Sequence, residues 1–217
     1  MTRYRRRRWL LWAGIGAPLL AAVTAITAAL LFPSFDHATQ YISELAGPAA
    51  PPASAGLFNT GVILAGIAAG FAGAGFGLTL VALGGGRIPA SIVTLAFLVG
   101  AVGLVVSGIY TWPDPRHRLI NLGLFIQLAP VFLIWGLWKV EGVARLRGFL
   151  AAMLVMMVVM TVITRHLVFP GTVNDDNVGW WERAFAILLV GWVGVTAFLL
   201  ERRLISVALA EAESASI

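Results

Sequence analysis

Long apolar runs alternate with short polar segments along this chain, and the runs have the length of membrane spans. Trp9 to Phe32 carries no charged residue. At about 1.5 Å rise per residue, such a helix crosses a hydrocarbon core about 30 Å thick. A cleaved signal peptide has a shorter apolar region of about 7–15 residues, so the run predicts an anchored first helix. Leu45 to Gly86 is also uncharged, but Pro48, Pro51 and Pro52 interrupt it. Proline lacks an N–H and pushes the residue before it out of helix, which places the second helix at about 56–83. The turn Gly84-Gly85-Gly86-Arg87 ends it. Further spans are expected at about 88–110, 119–138, 148–164 and 184–200, the last two near the short limit. Trp112, Trp138, Trp180 and Trp181 fall at span ends, where amphipathic rings favour the interface. The pattern predicts an all-α polytopic six-helix bundle, one domain over about residues 1–210 with a flexible tail at 211–217.

Composition agrees. Of 217 residues 59% are hydrophobic and 12% charged, and the mean hydropathy is +0.90. Soluble domains carry about 25% charged residues, so lipid must be the main solvent. The absence of cysteine excludes disulfides, thiolate metal sites and cysteine nucleophiles.

A pI near 10.7 would suit a nucleic-acid partner, but the distribution of charge argues otherwise. Arg3, Arg5, Arg6, Arg7 and Arg8 directly precede the first apolar run. Arg and Lys stay on the cytoplasmic side, and such a cluster also attracts anionic headgroups. With the N-terminus inside, the inner segments hold eleven basic and four acidic residues and the outer ones four basic and six acidic. That split, +7 inside and −2 outside, predicts both termini in the cytoplasm and a place in the cell (plasma or inner) membrane.

Gly66, Gly70, Gly73 and Gly77 share one face of the second helix. Small residues let backbones approach closely in lipid. The face is expected to pack within the chain, or otherwise to form a seam with another copy or with a membrane-complex partner.

The polar chemistry gathers on the outer side of this topology. His37, His117 and His166 each lie at the outer end of a helix, beside Asp36, Glu44, Asp114, Arg116, Arg118, Arg165, Glu182 and Arg183. Charged groups near the membrane plane face inward or pair, which predicts an outward-facing polar cup with at least one arginine paired to Asp36 or Glu44 across the loops. Asn59 and Asn121 would form its floor, with Asn121 one helical turn below His117. Three histidines at one level are candidate zinc ligands, although no His-x3-His pair brings two together on one helix. Such residues also commonly tie loops to helix ends.

The motifs Tyr41-Ile42-Ser43-Glu44-Leu45 after Asp36, then Phe58-Asn59-Thr60-Gly61, resemble the first loop of a bacterial and archaeal membrane family, domain of unknown function nine-nine-eight. Gly108 to Pro115 followed by His117 resembles its second loop, with Tyr110-Thr111-Trp112 where the family usually has Phe-Pro. Trp181-Glu182-Arg183 resembles its approach to the last span. The resemblance covers essentially the whole chain and implies a six-span topology. There is a more distant similarity to the DRAM-like eukaryotic membrane proteins, whose first outer loop also carries an Ile-Ser motif.

Two functional classes remain from the residues. One is a non-enzymatic lipid-interacting, accessory or scaffold protein, for which membrane lipids are the expected partners. The span interiors hold no mid-membrane acid or lysine of the kind that marks a proton or ion path. The alternative is an outward-facing hydrolase or transferase acting on lipid headgroups. His37 or His117 would be its base, Ser43 its nucleophile with Asp114 nearby, and Arg116, Arg118 and Arg165 its phosphate clamp. A metal-dependent variant would use His37, His117 and His166. The topology has a direct check: reporter fusions after Gly86 and Gly148 should read cytoplasmic, and one after Asp176 external. An external signal at Gly148 would overturn it.

Overall fold

The computed structural model describes residues 2–165 and 168–214. It is all-helical, and six of its helices are long and apolar enough to cross a membrane. These are α1 (Thr2–Leu30), α2 (Pro52–Ala82), α3 (Arg87–Ile109), the span Pro115–Gly136 containing α4 (Leu124–Gly136), α5 (Ala144–Thr164) and α6 (Val178–Ser214). In lipid every backbone N–H and C=O must be satisfied within the segment, which is why the apolar runs cross as helices. Pro18 and Pro130 sit inside α1 and α4. Pro52 opens α2 at its first turn, where the missing N–H is harmless. It therefore starts α2 four residues before the expected Gly56.

Other boundaries differ from the sequence expectation too: α1 starts at Thr2, α5 at Ala144 and α6 at Val178, each before the expected residue. Residues Pro115–Gly123 form a 3-10 helix, so the first part of the fourth span is not α-helical. The last helix continues well beyond residue 200, to Ser214. Glu201, Arg202 and Arg203 end the apolar run, but a lipid boundary ends a span and not a helix, and no proline or glycine follows Gly194. Residues 211–214 of the expected tail are helical, and 215–217 lie outside the described residues.

The helices form a closed ring, each packed on its chain neighbours and α6 returning to α1. Glycines set the closest approaches. A Cβ on Gly66 would lie 2.9 Å from the Leu104 Cβ, and one on Gly77 2.9 Å from the Ala90 carbonyl oxygen. At Gly73 it would strike the Phe97 side chain. Gly70 is looser, 3.4 Å from the Ala101 Cβ. The glycine face of α2 is thus filled by α3. Gly75, on another side of α2, meets the α1 backbone at Leu10, 2.9 Å from its carbonyl carbon.

Phe76, Phe97 and Trp192 join α2, α3 and α6 in the centre, with ring centroids 5.2 to 6.3 Å apart and all three buried. Gln127, buried in α4, donates to the Met157 carbonyl (3.1 Å) and to the Thr161 hydroxyl (2.9 Å) on α5. At one end of the bundle Arg8 binds Glu201 at 2.8 Å, fastening α1 to α6. Glu201 is 6% exposed, and the extension of α6 beyond residue 200 is what makes this pair. Outward, Leu19, Val23, Ile26 and Leu30 of α1 and Val155, Val158 and Val159 of α5 are exposed apolar surface, as expected of a span in lipid.

Replacing Gly73 by leucine should lower thermal stability in detergent by about 1–3 kcal/mol, the usual cost of overpacking. Gly70→Ala should cost less than Gly73→Ala, because Gly70 has an ordinary contact distance to spare. Equal losses at the two positions would contradict this packing.

Candidate functional site

The polar residues of the loop-bearing end fall into two groups. The first joins the α1–α2 loop to the start of α6. Residues Ile42–Ala46 form a 3-10 turn, and Glu44 folds back so that its carboxylate accepts the Tyr41 N–H at 2.8 Å and an N–H of the Gln40 amide at 3.2 Å. The Gln40 amide oxygen accepts the Asp36 N–H at 2.7 Å. Asp36 accepts the Ala38 N–H at 2.8 Å. That backbone bond, helped by the Thr39 side chain, holds its carboxyl below the usual range.

Contacts from α6 lock the loop in place. The Glu182 carboxylate of α6 accepts the Ile42 N–H. The Arg183 guanidinium donates through Nη1 to the Gln40 carbonyl (3.0 Å) and the Gly179 carbonyl (2.7 Å), and lies over the Phe35 ring at 5.2 Å. Its Nη2 is buried and has no hydrogen-bond partner. The ring face offsets part of that cost. Gly179 makes the approach of α6 feasible: its N–H donates to the Ala38 carbonyl at 2.7 Å, and a Cβ there would lie 2.5 Å from the His37 carbonyl oxygen. The exposed His37 ring packs edge-on to Phe35 at 5.2 Å and stacks with Trp180 at 6.2 Å. Ser54, fully buried on α2, donates to the carbonyls of Ala28 and Leu45 and ties the loop down from below.

The second group sits where α3 meets the 3-10 segment. Asp114 caps that segment by accepting the Arg116 N–H at 2.8 Å, and pairs with the Arg116 guanidinium at 2.7 Å. Arg116 lies 3.5 Å from the Tyr110 ring centroid. The His117 Nδ1 lies 3.1 Å from the Ser107 carbonyl and 3.0 Å from the Tyr110 carbonyl. Two acceptors at one nitrogen require the proton on Nδ1. The group packs tightly because Gly103 admits the Leu119 carbonyl and the Leu122 side chain against α3.

The residues expected to line one cup thus bond in two groups. Among the described residues no hydrogen bond, ion pair or ring contact joins His117, Asp114 or Arg116 to His37, Asp36, Glu44, Glu182 or Arg183. Neither Asp36 nor Glu44 forms the cross-loop arginine pair that was expected; Arg183 is held by carbonyls instead, and the distant carboxylate contact is to a backbone N–H. Asn121 does not share a face with His117. At about three residues per turn, a 3-10 segment separates positions four apart, and Asn121 bonds the Arg118 carbonyl at 2.9 Å. Asn59 is half-buried on α2. Ser43 is half-buried with no hydrogen bond to a described histidine, and Arg118 and Arg165 are exposed. His166 lies outside the described residues. Among those described, no three His, Asp or Glu side chains converge as a metal site would require.

Sequence reasoning missed Gln40, Gly179, Phe35, Tyr110 and Ser54. Gln40 had a signal, standing four residues from both Asp36 and Glu44.

A ring of six apolar helices, its loops folded back onto the helix ends, defines a multi-pass helical membrane protein. The chain belongs to the family described as protein of unknown function (DUF998), whose model matches residues 15–199. No curated protein and no solved structure matches it.

The Arg116 partnership gives a pH prediction. It holds the Asp114 carboxyl at about 2, below its ordinary 3.8. A depressed acid contributes stability above its ordinary value and loses it as pH falls through the folded value. The Asp114 carboxyl carbon, assigned by comparison with Asp114→Asn, should titrate near 2 by NMR and move toward 3.8 in Arg116→Gln. A wild-type midpoint near 3.8 would break the pair.

Proposed function

We propose that this chain is a non-enzymatic accessory or scaffold protein of the cell (plasma or inner) membrane, with both termini cytoplasmic and the loop-bearing end outside. The orientation rests on the +7 and −2 charge split. The observation that carries the functional reading is where the loop polar groups point. Glu182 is engaged by the Ile42 N–H, Arg183 by the Gln40 and Gly179 carbonyls, and His117 by the Ser107 and Tyr110 carbonyls. Side chains held by backbone groups of their own fold stabilise a cap. A general base and its nucleophile need each other within hydrogen-bond reach, and Ser43 has no such bond to His37 or His117. The cap would present a fixed outer surface over a lipid-embedded ring.

The test separates cap from catalyst. Purified full-length protein in proteoliposomes of mixed phospholipids should leave the lipid species unchanged by mass spectrometry. Glu182→Ala, which strands the Ile42 N–H, should cost about 1–3 kcal/mol of stability. His117→Ala and Ser43→Ala should leave the lipid profile as in wild type. Headgroup release that disappears in His117→Ala or Ser43→Ala would replace this reading with a hydrolase or transferase.

A further inference from the structure

The end of the bundle opposite the cap carries two grooves of the same chemistry. The larger, about 560 Å³, lies between the α2–α3 turn and the end of α4, and is lined by Arg87, Ile88, Trp135, Trp138 and Lys139 together with the glycines of both turns. The turns meet backbone to backbone: the Gly86 N–H donates to the Gly136 carbonyl at 3.4 Å, and a Cβ on Gly85 would lie 2.7 Å from that oxygen. This contact brings the two cations, which are distant in sequence, to one cavity. Trp135 and Trp138, three residues apart at the end of α4, are 53% and 68% exposed. Arg147 fixes Trp138, donating to its carbonyl at 2.6 Å and lying 5.6 Å from its ring centroid. No carboxylate lines the groove.

The smaller groove, about 220 Å³, repeats the pattern on α1, with Arg5, Arg8, Trp9 and Trp12. Again two tryptophans stand three apart, both exposed, beside two cations. Both grooves lie at helix ends on the positive side of the bundle, and exposed indole rings favour the headgroup region. A volume of 560 Å³ falls in the range of small-molecule sites, about 300–1,000 Å³. An occupant must combine negative charge for Arg87 and Lys139 with apolar substance for Trp135, Trp138 and Ile88.

We propose that the groove between Arg87, Lys139, Trp135 and Trp138 binds an anionic phospholipid, its phosphate on the two cations and its glycerol and upper acyl chains against the indoles. The α1 groove is a second, weaker site of the same kind, because Arg8 is already paired with Glu201. The inference shares only the membrane setting with the proposed scaffold function; lipid binding without turnover, or turnover without this binding, would separate the two.

Full-length protein in a neutral detergent should be titrated with phosphatidylglycerol and with phosphatidylcholine, and bound lipid counted by native mass spectrometry. Phosphatidylglycerol should bind at least about tenfold tighter. Each cation near the surface is worth about fivefold, so Lys139→Gln should cut the preference by about that factor and Arg87→Gln with Lys139→Gln should remove it. Lys139→Arg should retain it, and Arg118→Gln at the capped end should not change it. Should the double variant fail to fold, Lys139→Gln decides alone, since that side chain is exposed. Equal affinity for the two lipids, or an unchanged preference in Lys139→Gln, would overturn the proposal. So would displacement of the lipid by millimolar glycerol phosphate, which would mark a site for free phosphate.

Discussion

Close backbone approach between helices is what the rest of this structure depends on. Lipid tails are as apolar as the helices they surround, so no hydrophobic force drives the spans together, and contact area between surfaces must do so. The α2 helix provides that area on two sides. Gly66, Gly73 and Gly77 admit α3, and Gly75 admits α1 at the Leu10 backbone. With α1, α2 and α3 fixed, the remaining elements follow their neighbours. Gly100 and Gly103 seat the 3-10 segment and α4 on α3, Gln127 binds α4 to α5, and Gly194 meets Pro18 where α6 closes the ring on α1.

The two ends of the ring solve different problems. Where the chain leaves lipid at the capped end, the segments from residue 31 to 51 and from 110 to 123 have backbone groups that no α-helix satisfies. Side chains supply partners: Asp36, Glu44, Asp114 and Glu182 accept N–H groups, and Arg183, Ser54 and Asn121 donate to carbonyls. At the opposite end the connections are shorter, built from glycine turns with positive φ at Gly84 and Gly142. Arg147 and Arg203 bond carbonyls there, while Arg87 and Lys139 line a cavity.

Part of this was legible in residue order. Six spans follow from uncharged length, and the packing face of α2 follows from glycines three and four apart, because both properties are local and a helix has a fixed period. The polar residues of the capped end could be located for the same reason. Their grouping could not. Glu182 and Ile42 are 140 residues apart, and Arg183 and Gln40 are 143. Nothing in either segment names the other. The 3-10 geometry of Pro115–Gly123 was equally hidden, since it depends on how closely Gly103 lets that segment approach α3.

The sequence by itself thus determined the solvent of this protein, the number of its spans and the side of α2 that packs, because apolar length and periodicity act within one helix. Only the tertiary structure decided that the capped-end polar residues bond in two groups, that α6 runs on to pair Glu201 with Arg8, and that Arg87 and Lys139 share a groove. Each of those outcomes depends on which helix ends become neighbours. That choice is made by the fit of whole surfaces in lipid, and it leaves no mark in any single segment.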